Sequence, residues 1–161
     1  MKTYAGIGSR ETPADIQLQM YEIAKYLDSR DYVLRSGGAA GADTAFSEGA
    51  KAGFNKHEQQ IFKASHATDA SILLAAKFHP NWNACTPSVR KLHGRNAMII
   101  LGRNLDDRVD FVICWTKNGS DIGGTGLGMR IAQERGIPIY NLFHEQRRDL
   151  MDRMVKNNSM L

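Results

Sequence analysis

The chain has 161 residues, enough for one domain with a sizeable buried core. Its 42% hydrophobic and 24% charged residues exclude a disordered or fibrous protein, and no apolar run is long enough for a membrane span. A net charge of +4 and a pI near 9.2 lean towards an anionic partner.

Thr3 to Ile7, bounded by Gly6 and Gly8, reads as the first strand. No apolar leader precedes it, so a cytoplasmic protein is expected. Gly8-Ser9-Arg10-Glu11-Thr12-Pro13 is the turn that follows, with Thr12 as the expected N-cap and Pro13 in the first helical turn. Ile16, Met20, Ile23, Ala24 and Leu27 give that helix its buried face, and residues 28–31 end it. A second strand, Tyr32-Val33-Leu34, runs into Arg35-Ser36-Gly37-Gly38-Ala39-Ala40-Gly41-Ala42-Asp43, at the mouth of a helix from Asp43 to Ala52. Strand, glycine turn and helix N-terminus together present backbone N–H groups to a phosphate. The spacing is not G-x-G-x-x-G, so no dinucleotide site follows from it. A tight turn with no ligand is the alternative. Lys56 to Phe62 reads as a third, thinly apolar strand.

The alternation then breaks. Ala70 to Phe78 is helical, His79 to Asn83 interrupts, and Thr86-Pro87 caps another helix. Val89, Leu92, Ala97, Met98, Ile99 and Leu101 form its buried face, with Arg90, Lys91, His93, Arg95 and Arg103 as a basic one. Val109 to Trp115, β-branched and aromatic, is the clearest strand. A loop from Gly119 to Gly128 leads into a helix containing Met129 to Glu134, Gly136 ends it, and Ile137 to Leu142 is the last strand. From Glu145 the tail is an amphipathic helix whose Leu150, Met151, Met154 and Val155 serve either a partner copy or the chain's own core. No repeat or linker divides the chain. The expectation is a single domain over 1–161, with a core over 3–142 and a helical tail over 144–157. Its class is α/β, a Rossmann-like three-layer domain with a mostly parallel central sheet and helices on both faces.

Parallel sheets bind ligands beyond the carboxyl ends of their strands. Three glycine-bearing strand ends point there: Gly6–Arg10, Ser36–Asp43 and Gly119–Gly128. A shared anionic ligand accounts for three such turns better than three unrelated ones. Arg10 either forks onto a phosphate or pairs with Glu11 or Asp43. Gly123-Gly124-Thr125-Gly126 opens a helix, either as a cap or as a second phosphate or ribose contact. Asp43 is favoured in a first helical turn by the dipole alone, unless it faces the cleft. Arg95-Asn96 is the strongest pair outside the turns. Trp82, in a loop, is the better base-stacking candidate, because Trp115 ends a core strand. Cys85 and Cys114 stand in no metal or redox spacing, and Cys114 is expected as a buried thiol. His93 reads as an exposed residue without a ligand set around it. No cofactor and no metal is expected. No Ser–His–Asp, H-E-x-x-H or C-x-x-C arrangement appears.

The ordered set Gly8-Ser9-Arg10, Ser36-Gly37-Gly38-Ala39-Ala40-Gly41-Ala42-Asp43, Arg95-Asn96 and Gly123-Gly124-Thr125 resembles the Rossmann-like domain of the DNA-processing protein DprA (Smf). That domain belongs to the SLOG superfamily with the LOG-type nucleotide phosphoribohydrolases, and the resemblance runs from Tyr4 to Leu142. It implies a cleft for nucleotides, nucleotide derivatives or single-stranded DNA, a functionally important arginine at Arg95, and a homo-oligomer. Two departures stand out. The arginine that DprA carries in its second glycine turn is absent from Ala39-Ala40-Gly41-Ala42, and no acid follows Gly124-Thr125 where LOG enzymes carry a catalytic glutamate; Glu134 comes two turns too late. The expectation is therefore a nucleotide or nucleotide-derived ligand in a glycine-turn cradle of Gly8, Ser9, Arg10, Ser36, Gly37, Gly38, Gly41, Asp43, Arg95, Asn96, Gly123, Gly124, Thr125 and Gly126. DprA-like binding of single-stranded DNA is the alternative. A LOG-like hydrolase relying on Arg95 is the second, and no residue is assigned a catalytic role without it.

Overall fold

Tyr4 and Ala5 are neighbours in the first strand, yet they belong to different cores. The same alternation recurs in the fourth strand, where Phe111 and Ile113 pack on one side and Val112 and Cys114 on the other. Strands buried on both faces read as continuous apolar runs, which is why these two were plain in the sequence.

In the computed structural model, which describes residues 1–161, the strands are β1 (Lys2–Gly6), β2 (Tyr32–Ser36), β3 (Gln60–Ile61), β4 (Phe111–Cys114) and β5 (Ile139–Asn141). They form one parallel sheet in the order β3-β2-β1-β4-β5, in register at Tyr4–Leu34 and Tyr4–Phe111. The helices are α1 (Ala14–Ser29), α2 (Ala42–Lys51), α3 (Asp69–Ala76), α4 (Pro87–Leu101), α5 (Gly123–Glu134) and α6 (Glu145–Lys156). Helices α1, α2 and α6 cover one face through Met20, Ile23, Phe46 and Met151, and α3, α4 and α5 cover the other through Ala75, Ile100, Leu127 and Ile131. This is the Rossmann-like three-layer arrangement. Strand order reverses between β1 and β4, so a crevice opens there beyond the carboxyl ends.

Several boundaries differ from expectation, each for a local reason. Pro13, not Thr12, is the cap residue of α1, because the Thr12 hydroxyl donates to the Ser9 carbonyl at 2.5 Å inside the preceding turn. The third strand shrinks to two residues because the segment before it wraps a buried carboxylate. Asp28 accepts from the amides of Asn55, Lys56 and His57, each at 2.8 Å. Helix α5 starts at Gly123, so the last glycine stretch is its first turn and not a loop before it. Helix α6 lays its stripe on α1, burying Met151 and Met154, and Gln19 holds it through the Arg148 carbonyl at 3.0 Å. The tail's apolar face therefore serves the chain's own core.

Helices α1 and α2 meet closely at Gly49, where a β-carbon would lie 2.2 Å from the backbone oxygen of Tyr21. Gly49→Ala is expected to lower stability by roughly 1–3 kcal/mol through overpacking, read as a fall in the urea midpoint at unchanged slope.

Candidate functional site

Beyond the carboxyl ends of β1, β2 and β4 lies a hollow of about 230 Å3 lined by Gly8, Ser9, Arg10, Ala39, Asp43, Arg95, Asn96, Gly124 and Thr125, with Leu92 and Ile99 as its apolar wall. A second hollow of about 330 Å3 shares Ser9, Gly124 and Thr125 with it and continues over Lys117, Asn118, Ser120 and Ile122. The first glycine turn, the second, the Arg95-Asn96 pair and the start of α5 thus meet in one place. They come from stretches up to about 115 residues apart in the chain.

Each side chain is set by its element. The turn after β1 continues the sheet, since Ile7 N–H donates to Ile113 O at 3.1 Å and Ser9 N–H to Trp115 O at 3.2 Å. It thereby projects Arg10 over the crevice. Arg10 is exposed and joins no ion pair, so neither expected partner, Glu11 or Asp43, holds it. Arg95 is half-buried. Its Nη1 donates to Gly37 O at 2.8 Å and Phe62 O at 3.1 Å, and its Nε to Asn96 Oδ1 at 2.9 Å. Burial pulls its pKa below the ordinary arginine value, with Asp43 opposing and Arg10 adding to the effect. Asp43, 6% exposed, faces the hollow from the first turn of α2, and its Oδ2 accepts the Ala39 amide at 3.1 Å, fastening the second glycine turn. Burial raises its carboxyl to about 6, against the hydrogen bonds and Arg95, which act to lower it.

Two helices begin beside this space without a side-chain cap. Gly41 precedes α2 at φ 86°, a conformation that favours glycine, and Ile122 precedes α5. Their first-turn amides are left for an acceptor from outside.

Not every expected residue reaches the hollow. Ser36 is fully buried, and its hydroxyl donates to Gly6 O at 2.6 Å. Gly37 lies under the Arg95 guanidinium, Gly38 beside Ile61, Gly41 against the backbone of Ser9 and Arg10, and Gly126 against that of Asp121. Gly123 lines the neighbouring hollow. Part of the expected basic face of α4 is drawn inward, while Lys91 and Arg103 stay exposed. The Arg90 guanidinium sits 5.2 Å over the Trp82 ring, Arg103 over Phe62 at 5.7 Å, and His93 is buried. Trp82 consequently packs on the core beside His79 and His93, away from the cleft. Cys114 is buried as expected, its thiol pushed up to about 12. Lys117, Asn118 and the exposed Ile122 were missed by sequence reasoning; their loop between β4 and α5 carries no signal beyond its glycines.

A larger hollow, about 660 Å3, runs along β3 and the loop after α4. None of the glycine turns lines it. Its buried Arg35 is committed to Asp107 at 2.6 Å and Gln60 at 2.7 Å, a tie between β2, β3 and that loop. The crevice at the strand-order reversal is therefore the better candidate site.

No family model matches the chain, and no curated protein does. Among solved structures, it is similar to DNA processing protein A from Helicobacter pylori, described for its single-stranded DNA binding mode, with a TM-score of 0.60 and 15% identity. The likeness covers 97% of this chain and 81% of that one. At this identity it establishes a DprA-like fold.

Asp43 gives the site a pH signature. A carboxyl with a raised folded-state pKa contributes stability that is fully present below its unfolded value of 3.8 and lost as pH rises through about 6. Asp43→Asn is expected to gain on the wild type between pH 4 and 7 by roughly 2–3 kcal/mol in parallel urea melts.

Proposed function

We propose that this chain is a DprA-like binder of single-stranded DNA, with the sugar–phosphate of one nucleotide seated in the crevice between β1 and β4. The observation that carries it is the meeting of two uncapped helix N-termini with an unpaired arginine, Arg10, at the strand-order reversal of a fold shared along nearly its whole length with a single-stranded DNA binder. In this reading Arg10 and Lys117 supply charge, the first-turn amides of α5 and the Thr125 hydroxyl donate to a phosphate, and Ile122 offers an apolar rest for a base. Arg95 and Asp43 hold the second glycine turn in place beneath them, with Gly37, Gly38 and Gly41 shaping the turn. Membership of the SLOG superfamily belongs to the same proposal.

A second reading, a free nucleotide or nucleotide derivative, is favoured by the arginine missing from Ala39–Ala42 and by the inward commitment of Arg90 and Arg95. Both leave few charges to track an extended strand. Turnover is not part of either reading. Asp43 is the sole carboxylate lining the crevice and is tied to Ala39, while Glu134 stands at the far end of α5 beside Arg135.

Fluorescence anisotropy with oligo-dT separates the two. Strand binding predicts an affinity that rises with oligomer length and falls steeply with salt, and Arg10→Ala weakens it about tenfold, near 1.4 kcal/mol. Binding that is absent or salt-insensitive overturns it. A nucleoside monophosphate that matches the oligomer's affinity and displaces it completely points to the second reading.

A further inference from the structure

A cluster on the far side of α4 belongs to neither reading. His79 lies in the turn after α3, Cys85 closes the short turn Trp82–Ala84 just before the α4 cap Thr86, and His93 is in the second turn of α4. One nitrogen from each imidazole and the Cys85 Sγ lie within 4.8 Å of one another. Cys85 Sγ is 3.6 Å from His79 Nε2, close to the sulfur–nitrogen edge of about 3.5 Å that follows from zinc–ligand bonds of about 2.3 and 2.05 Å at a tetrahedral angle. His93 is 6% exposed, and its Nδ1 is buried with no hydrogen-bond partner. Polar atoms in that position are seldom left without one.

We propose that His79, Cys85 and His93 bind a zinc ion. One thiolate and two imidazoles suit Zn2+, and the absence of a carboxylate in the set disfavours calcium or magnesium. The fourth position is left to water. Binding releases the thiol proton of Cys85 to solvent. His79 Nδ1 accepts the Asn81 amide at 3.0 Å, and ligation requires that bond to give way, either by its direct displacement at Nδ1 or by moving a proton there so that Nε2 can ligate. The edge-on packing of His79 on His93, ring centroids 4.7 Å apart, and the Trp82 ring beside them shield the cluster on the core side. Arg90, stacked on Trp82, and Arg130, whose charge reaches His93, make the surroundings positive, so the thiolate is the ligand on which cation binding depends. The metal would staple the 79–85 loop to α4 two residues before Arg95.

The test uses the full chain stripped with a chelator. Titration with Zn2+ against a chromophoric chelator is expected to show one equivalent bound tighter than micromolar, and Co2+ to give a thiolate charge-transfer band. Cys85→Ser removes the band and weakens Zn2+ binding by more than about 100-fold. His79→Gln does likewise, and Zn2+ raises the Tm of the wild type but of neither variant. Both positions are partly exposed, so the variants are expected to fold. No zinc bound below micromolar concentration, or unchanged stoichiometry and affinity in the two variants, overturns the proposal.

Discussion

The guanidinium of Arg95 is the tie on which the crevice depends. It reaches from α4 across the carboxyl edge of the sheet to the carbonyl of Gly37 and, at the end of β3, to that of Phe62. It fixes the start of the second glycine turn, between β2 and α2, to the sheet edge and to α4. Asp43 completes the clasp from the opposite side through the Ala39 amide. A lysine could not substitute, because a single ammonium cannot span Gly37, Phe62 and Asn96 in one plane. Its bonds to Gly37, Phe62 and Asn96 give Arg95 a structural role that does not require direct contact with a ligand.

The glycines gain a similar second meaning. A β-carbon on Gly37 would lie 2.6 Å from the Arg95 guanidinium, and one on Gly124 would lie 2.7 Å from the Asn96 amide. Their smallness is therefore needed to let α4 meet the second turn and the start of α5. Three glycine turns in one chain looked like three approaches to a ligand, but several are approaches of one chain segment to another. The amides at the starts of α2 and α5 have no side-chain cap, which leaves them to solvent or to a ligand.

The alternation of strands and helices was legible because β1 and β4 are buried on both faces and α1 presents a regular apolar stripe. What escaped the sequence rests on contacts across long separations. The carboxylate of Asp28 turns residues 55–57 away from a strand, and neither partner signals the other from its own neighbourhood. Likewise His79, Cys85 and His93 have no familiar metal-ligand spacing, since a turn folds back on a helix to bring them together. The lining of the crevice was half legible. Arg10, Asp43, Asn96 and Thr125 were visible as motif members, whereas the loop at Lys117–Ile122 was marked by little more than its position after β4.

The crevice draws on residues 8–10, 39–43, 92–99 and 116–125, and no single supersecondary unit contains more than a part of it. The part lined by Asp43, Arg95 and Asn96 forms only once their long-range closures are made. Occupancy of that part is accordingly a report on the packing of α4 against the sheet edge. Any ligand that spans both hollows shifts the equilibrium between native and unfolded chains by mass action.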